Sequence, residues 1–155
     1  MARRHQLIER PPGQVWAVLA DPARYDDWVV GVTGSAPGRG DWPRVGADLS
    51  YEVALGPWKG GGRTVVRRCE EPHVLELEAH SGPLGTARIA VDVRPWGERD
   101  SLVTLDEHPL RGTAGTLHNA AFDVFLQLRH RRMLKRLAYT VERSGPPLEA
   151  GQSPH

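Results

Sequence analysis

Residues 116–143 read TLHNAAFDVFLQLRHRRMLKRLAYTVER, a long stretch without glycine or proline. Apolar residues recur in it at three- and four-residue intervals, which is the spacing of one face of an α-helix. They are Leu117, Ala121, Val124 and Leu128, with Phe125, Leu134, Leu137 and Val141 broadening the stripe. At 1.5 Å per residue such a helix is about 40 Å long, enough to cross a whole sheet. The basic residues of its C-terminal half suit a solvated face and oppose the negative end of the helix dipole. They are Arg129, His130, Arg131, Arg132 and Arg136.

The region before this helix has the pattern of a β-meander. Apolar and polar residues alternate in 49–55, 75–80 and 87–94, which is the period of a half-buried strand. Residues 64–69 and 102–105 are predicted as two further strands. Short turns at roughly ten-residue intervals favour antiparallel pairing. One face of these strands is apolar and the other charged, so the apolar face is expected to be covered.

Two glycine-rich segments interrupt the predicted strands. Gly31–Gly46 is rich in glycine and proline and is predicted to be a loop with little regular structure. Gly60–Gly62 is predicted to form a hairpin opposite the mouth of a cavity, or a mobile gate over it. Neither segment has the spacing of a phosphate-binding loop.

The N-terminal region predicts one strand followed by two short helices. The strand covers Arg3–Glu9, and Pro12 suits the first turn of the first helix because its missing N–H needs no partner there. Asp21 can cap the second helix, with Pro22 in its first turn. Tyr25 and Trp28 lie three residues apart on that helix and can share a face.

This order of elements predicts an α+β helix-grip fold. A curved antiparallel sheet of six or seven strands wraps around the C-terminal helix, and the two short helices follow the first strand. Residues 3–143 are expected to form one ligand-binding domain, and residues 144–155 a disordered tail. Two helices and a curved sheet do not close perfectly on one amphipathic helix, so the interior is a natural place for a cavity.

Composition limits the classes of function. The chain has 155 residues and a formal net charge of +1, which implies no field-driven attraction to nucleic acid or anionic membranes. Cys69 is the single cysteine, so an internal disulfide is excluded, and the seven histidines show no metal-ligand spacing. We expect no metal, no cofactor, no membrane span and no secretory signal. The simplest interpretation is a cytoplasmic bacterial protein, monomeric or homodimeric.

The opening motif resembles that of a known superfamily. The run Pro11-Pro12-Gly13-Gln14-Val15-Trp16, followed by Leu19, Asp21-Pro22, Tyr25 and Trp28, is similar to the start of START/Bet v 1-like (SRPBCC) proteins. Within that superfamily it most resembles the polyketide cyclase/dehydrase and lipid-transport group. The resemblance extends over about residues 3–143. It implies a helix-grip fold, which hosts cyclases, lipid carriers, hormone receptors, chaperone activators and ubiquinone-binding proteins.

No catalytic residue is assigned from the sequence, but Glu107 is a candidate. If Val103 and Leu105 face inward, alternation places Glu107 on the same face. A carboxylate at the lip of an apolar cavity has a raised pKa and can move protons. The favoured alternative places it beyond the strand end, hydrated at the rim. The opposite strand register sends Thr104 and Asp106 inward instead.

His118 is the second candidate, as a general base or ligand contact near the start of the last helix, with a surface position as the more frequent alternative. Residues 64–69 carry Arg67 on one face and Arg68 on the other, so either register points an arginine inward or toward the rim. An inward arginine needs a carboxylate, from Glu107 or from an acidic ligand. Cys69 has no basic surroundings and is interpreted as structural.

The candidate ligand contacts are the apolar side chains expected inside the grip. Tyr51 could orient a ligand through its hydroxyl, or it could bond to backbone as a core tyrosine. The candidate contacts are Trp28, Tyr51, Val53, Leu75, Leu77, Ile89, Val91, Leu105, Leu117, Ala121, Val124 and Leu128.

The five tryptophans fall into two groups. Trp16 and Trp28 are assigned to the core beneath the short helices. Trp42, Trp58 and Trp96 lie in or beside loops, where they either clasp an apolar ligand or partner or simply pack the loop.

Three functions follow from these observations. The first is binding or transport of a small hydrophobic molecule such as a lipid, polyketide, quinone or aromatic metabolite. The second is a cyclase/dehydrase-like enzyme acting on such a molecule through Glu107 or His118. The third is a protein-partner module using Trp42 and Trp58. Two or more convergent ionisable groups with perturbed pKa in a cavity favour the enzyme, and a uniformly apolar cavity favours the carrier.

Overall fold

Seven strands and a long last helix make up the fold of this computed structural model, which describes residues 2–55, 58–80, 86–111 and 120–144. Only the backbone is described for Ala2, Val53, Leu55, Trp58, 109–111 and 120–128. The elements are β1 (Ala2–Ile8), α1 (Pro12–Leu19), a 3₁₀ turn (Pro22–Arg24), α2 (Tyr25–Trp28), β2 (Val32–Pro37), β3 (Asp48–Leu55), β4 (Trp58–Glu70), β5 (Val74–His80), β6 (Thr86–Trp96), β7 (Asp100–Arg111) and α3 (Ala120–Ser144).

The strands form one antiparallel sheet in the order β1-β7-β6-β5-β4-β3-β2. Consecutive strands from β2 to β7 are neighbours, and β1 joins the sheet beside β7 rather than beside β2. The short helices therefore connect the two edge strands of the sheet. This arrangement confirms the predicted α+β helix-grip fold.

The inner face of the sheet and α3 share one apolar core. Alternate residues of β5, β6 and β7 are buried on that face, as the strand period predicts. The sheet side contributes Leu75, Leu77, Val91, Val93, Val103 and Leu105, and the helix side Met133, Leu134, Leu137, Ala138 and Val141. Each of these valine, leucine and methionine side chains adds about 1.5–3 kcal/mol by leaving water.

The two short helices begin as the sequence predicts. Pro12 lies in the first turn of α1. Asp21 accepts a hydrogen bond from the backbone N–H of Ala23 at 3.0 Å and caps the 3₁₀ turn that leads into α2. Trp16 and Trp28 are both buried, as expected.

The prediction of a loop over residues 31–46 is wrong in its first part. Val32–Pro37 form β2, the edge strand beside β3. The segment has a composition of low β-propensity, and its pairing with the regular strand β3 supplies the backbone hydrogen bonds that specify it. Only residues 38–47, between β2 and β3, lack regular structure.

Trp42 holds this connection against the core. Its indole N–H donates to the carbonyl oxygen of Leu19 at 3.0 Å, and the Tyr25 hydroxyl donates to the same oxygen at 2.7 Å. The two rings meet edge to face, with centroids 5.5 Å apart. Burial raises the pKa of Tyr25. The Leu19 carbonyl, at the C-terminal end of α1, thus anchors both aromatic residues.

The prediction of a hairpin or gate at Gly60–Gly62 is also wrong. The three glycines lie inside β4, where Gly62 pairs with Tyr51 and Gly61 with Glu52. A Cβ on Gly62 would lie 2.5 Å from the Tyr51 ring and 2.7 Å from the carbonyl oxygen of His80. The Tyr51 ring therefore occupies the space that a side chain at position 62 would need.

A β-bulge in β4 breaks the predicted alternation of residues 64–69. The register shifts between Val66 and Arg68, and the consecutive residues Val65 and Val66 are both buried. Arg67 and Arg68 are both exposed and pair with glutamates of β5, Glu78 at 2.8 Å and Glu76 at 3.1 Å. Neither arginine points inward, so the inward alternative of that prediction is wrong.

The C-terminal end of α3 is tied to the first part of the chain. The backbone N–H of Glu9 donates to the Glu142 carboxylate at 3.0 Å, and Arg10 donates to the Glu142 carbonyl oxygen at 2.8 Å. Arg24 donates to the Ser144 hydroxyl at 2.7 Å. The predicted helix start at residue 116 lies outside the described residues. The predicted disordered tail, 144–155, is wrong at its first residue, because Ser144 belongs to α3, and 145–155 lie outside the described residues. None of the described helices has an apolar stretch of the length needed to cross a bilayer.

Substituting Gly62→Ala is expected to destabilise the protein by about 1–3 kcal/mol, because the new methyl group would displace Tyr51 and press on the backbone of His80. Gly61→Ala is the matched control, since its Cβ would meet only the Tyr51 carbonyl oxygen, at 3.4 Å. Urea unfolding of both variants measures the difference. Equal stability of the two variants would contradict the packing described for Tyr51.

A buried Glu107–His130 pair as the candidate functional site

Strand β7 carries Glu107 into the interior. The strand continues to Arg111, so Glu107 lies within it, between Ala2 of β1 and Ile89 of β6. Val103 and Leu105 are buried on the inner face, and Glu107 follows them there with only 9% of its surface exposed. The register with Val103 and Leu105 inward is therefore confirmed. The interpretation of Glu107 as a hydrated rim residue is wrong, because β7 and its partner β6 continue the sheet past it while Ala2 of β1 pairs with it on the other side.

His130 meets Glu107 from the last helix. Its side chain is fully buried, and its Nε2 atom lies 2.5 Å from Glu107 Oε1. The expectation that His130 belongs to a solvated face is wrong. Residue 130 precedes the buried residues Met133, Leu134 and Leu137 by three, four and seven positions, so it shares their face of the helix. That spacing was the available signal in the sequence.

Arg129 completes a three-residue cluster. Its Nη1 atom lies 3.4 Å from Glu107 Oε1, and its Nη2 donates to the carbonyl oxygen of Val30 at 3.3 Å. Consecutive residues of α3 thus contact the same carboxylate oxygen. An inward arginine of β4 was expected to pair with Glu107; the arginine that does so comes from the helix instead.

The pKa of Glu107 is lowered, where the sequence led us to expect a raised value. Burial alone would raise it, but the hydrogen bond to His130 and the positive charge of Arg129 outweigh burial. The carboxylate is therefore ionised at neutral pH. Because an ionised carboxylate can only accept hydrogen bonds, the Nε2–H of His130 donates to it.

Several polar side-chain atoms, two of them in the cluster, are buried without a hydrogen-bond partner among the described residues. They include His130 Nδ1, Arg129 Nε and Trp28 Nε1. Buried polar atoms are normally satisfied, so such atoms call for an explanation. The Nδ1 atom is the informative one, since it belongs to the fully buried ring that already binds Glu107.

The predicted ligand contacts divide into those the structure describes and those it does not. One buried cluster brings six of them together, and Ile89 packs against it half-buried; the six are Trp28, Tyr51, Leu75, Leu77, Val91 and Leu105. The side chains of the others lie outside the described part of the chain: Val53, Leu117, Ala121, Val124 and Leu128. His118, the second catalytic candidate, also lies outside it. Contact of these residues with a ligand stays a prediction.

Tyr51 and Cys69 both have the surroundings of structural residues. The Tyr51 hydroxyl donates to the carbonyl oxygen of His80 at 3.4 Å, as a core tyrosine would. Cys69 is half-buried, and burial together with the nearby charge of Glu71 raises the pKa of its thiol. A raised thiol pKa disfavours the reactive thiolate, in agreement with a structural cysteine.

A curved antiparallel sheet closed by its last helix, with two short helices after the first strand, is the helix-grip architecture of the SRPBCC superfamily. The family model described as "Polyketide cyclase / dehydrase and lipid transport" matches residues 2–142. The chain belongs to this family. No curated protein sequence matches it.

Solved structures with the same fold come from distant relatives. Protein TTHA0849 from Thermus thermophilus has a TM-score of 0.72 at 16% identity, over 94% of this chain and 99% of that one. The ginseng major latex-like protein 151 from Panax ginseng has a TM-score of 0.66 at 13% identity, over 95% and 96%. DynU16, from the dynemicin biosynthetic locus, has a TM-score of 0.66 at 20% identity over 94% of this chain. This chain spans 48% of DynU16, about half its length.

Substituting Glu107→Gln is expected to cost about 1–3 kcal/mol at pH 7, since it leaves the Arg129 charge without its partner. The pKa of Glu107 is lower in the folded than in the unfolded chain. The contribution of the ionised Glu107 to the free energy of unfolding is therefore complete above the pKa of glutamate in the unfolded chain, about 4.3, and is lost as the pH falls below that value. The stability difference between wild type and variant should shrink as the pH falls below about 4.3, as urea unfolding at each pH would measure.

Glu78→Gln provides the control for this titration. The pKa of Glu78 is also lowered, by its hydrogen bond to Arg67, but that arginine is exposed. Solvent screening should keep the control's loss below about 1 kcal/mol. Equal losses for Glu107→Gln and Glu78→Gln would mean that the buried cluster contributes no more than a surface ion pair.

Proposed function

We propose that the chain binds a small hydrophobic molecule, such as a lipid, polyketide, quinone or aromatic metabolite, between the inner face of the sheet and α3. Membership of the family and the apolar inner face support this proposal. The observation that carries it is the charged cluster of Glu107, Arg129 and His130 on that same inner face.

The cluster supports ligand binding because buried charged groups are an unfavourable way to fill the space between the sheet and α3. Taking an ionised carboxylate out of water costs several kcal/mol, and its partners return that cost only with good geometry and further hydrogen bonds. Apolar side chains of similar volume are often at least as stabilising in such a position. Ligand sites are mostly apolar, with a few polar groups that orient the ligand. The cluster could play this part for a mostly apolar molecule that carries one polar group.

A second candidate function is a cyclase/dehydrase-like enzyme acting on such a molecule. The contact between Glu107 and His130 favours it, because a carboxylate that orients an imidazole is a common arrangement for general acid–base chemistry. In this function His130 would exchange a proton with the ligand, and Glu107 would hold the ring. His118 keeps its place as a further candidate from the sequence.

A protein-partner module receives less support. Trp42 was to be one of its two contacts, but its indole N–H bonds to Leu19 and its ring packs on Tyr25. The side chain of Trp58, the other contact, lies outside the described part. We further expect a cytoplasmic, bacterial protein, monomeric or homodimeric, that binds neither nucleic acid nor a cofactor.

Native mass spectrometry of the purified protein, with thermal-shift measurements across a panel of lipids, polyketides, quinones and aromatic metabolites, tests binding. We expect a co-purifying small molecule or a raised melting temperature with at least one class. The variant Ile89→Trp should weaken that binding at least tenfold by filling space beside Glu107 on the inner face.

Arg88→Trp is the matched control for this test, because Arg88 precedes Ile89 in β6 and is exposed. It should leave binding unchanged. No bound molecule together with no thermal shift across the panel would overturn both the carrier and the enzyme proposals.

A further inference from the structure

We propose that the Nδ1 atom of His130 accepts a hydrogen bond from a hydroxyl group of the bound molecule, so that the ligand is an apolar compound bearing an alcohol, phenol or enol. This inference rests on the proposed function, since it assumes a ligand between the sheet and α3. It adds the atom that recognises the ligand and the chemical class recognised.

The first step is that, among the described residues, only the Nε2 atom of the imidazole has a hydrogen-bond partner. Nε2 donates to Glu107 Oε1 at 2.5 Å. The two ring nitrogens point in divergent directions, so Nδ1 faces away from Glu107. Nδ1 is buried and has no hydrogen-bond partner among the described residues, although the ring is fully enclosed. His130 Nδ1 is therefore a buried polar atom, held in place by the bond of the ring to Glu107, that a ligand can satisfy.

The second step is the charge of the ring. The negative charge of Glu107 already has one positive partner, since Arg129 Nη1 lies 3.4 Å from the same carboxylate oxygen. Adding a proton to His130 would place a second positive charge in the buried cluster, with nothing in the described residues to balance it. Unbalanced buried charge is strongly unfavourable. The neutral ring with its proton on Nε2 is the form that closes the charge balance.

The third step follows from that form. A neutral imidazole protonated on Nε2 has a lone pair on Nδ1 and can only accept there. A hydroxyl group can donate a hydrogen bond to Nδ1. A carbonyl, ether or ester oxygen has no hydrogen to donate, so its lone pair would face the lone pair of Nδ1. Leaving a buried acceptor unpaired carries a desolvation penalty, so the site should discriminate against ligands without a donor. Glu107 acts as a positioning residue, because it fixes which nitrogen carries the proton.

Three probes that differ only at one substituent test the proposal: naphthalene, 2-methoxynaphthalene and 2-naphthol. Fluorescence titration or calorimetry measures their dissociation constants for the full-length wild-type protein. We expect 2-naphthol to bind about 5- to 10-fold more tightly than 2-methoxynaphthalene, which is the advantage of one neutral hydrogen bond.

The variant His130→Gln separates this role from packing. A glutamine side chain can still donate to Glu107 from its amide nitrogen, but it has no acceptor where Nδ1 lies. It should bring the affinities for 2-naphthol and 2-methoxynaphthalene within about twofold of each other. His108→Gln, on the same strand as Glu107 and half-exposed, is the control and should keep the wild-type preference.

A second measurement takes its main result from the wild-type protein. The nitrogen-15 NMR spectrum of histidine-labelled wild-type protein should show His130 as the Nε2–H tautomer, with Nδ1 at the shift of a bare acceptor nitrogen. That signal should move when 2-naphthol is added and stay when naphthalene is added. Glu107→Gln should weaken the tautomer preference.

The outcomes separate the two levels of the proposal. If all three probes bind with equal affinity, the protein binds apolar ligands but the hydroxyl preference is overturned. A protonated Nδ1 in the NMR spectrum overturns it as well. If no probe binds and the wider panel also fails, the proposed function itself falls. A preference for 2-naphthol that survives His130→Gln assigns the recognition to another residue and overturns the inference.

Discussion

The contact between Glu107 and His130 decides how the last helix sits on the sheet. One partner belongs to the last strand and the other to the last helix, and Arg129 extends the contact to Val30 behind α2. Apolar attraction is non-directional, whereas a buried ionised carboxylate must keep its partners. We therefore regard the cluster as the element that sets the position of α3.

Local patterns predicted most of the architecture because each strand carries its own period. The strands β3, β5 and β6 follow from the alternation of their residues, and α1 from Pro12 and its apolar spacing. The errors arise where pairing overrides the local signal. β2 is specified by its neighbour β3. Gly60–Gly62 continue β4 because they pair with β3, with the Tyr51 ring over Gly62, and a bulge turns Arg67 and Arg68 outward together.

The sequence predicted which way the Glu107 side chain faces, but not the contacts that make the candidate site. Alternation from Val103 placed Glu107 inward, but its burial depends on how far β1 and β6 extend beside it. Helical spacing put His130 on the buried face, yet the arginines around it suggested solvent. No local pattern indicates that residue 107 meets residues 129 and 130, because that contact joins distant parts of the chain. The direction of the Glu107 pKa shift depends on this contact, so it could not follow from the sequence.

The position of β1 has a consequence for the way the protein is made. Of the seven strands of the sheet, β1 is the first to leave the ribosome, and its partner β7 is the last. Until β7 has emerged, β1 has no partner strand, and the backbone N–H of Glu9 lacks its acceptor, Glu142 of α3. The sheet can close only after β7 has been synthesised. Folding is therefore dominated by contacts between distant residues. Until the sheet closes, the unpaired strands of the growing chain can pair with strands of other chains and aggregate.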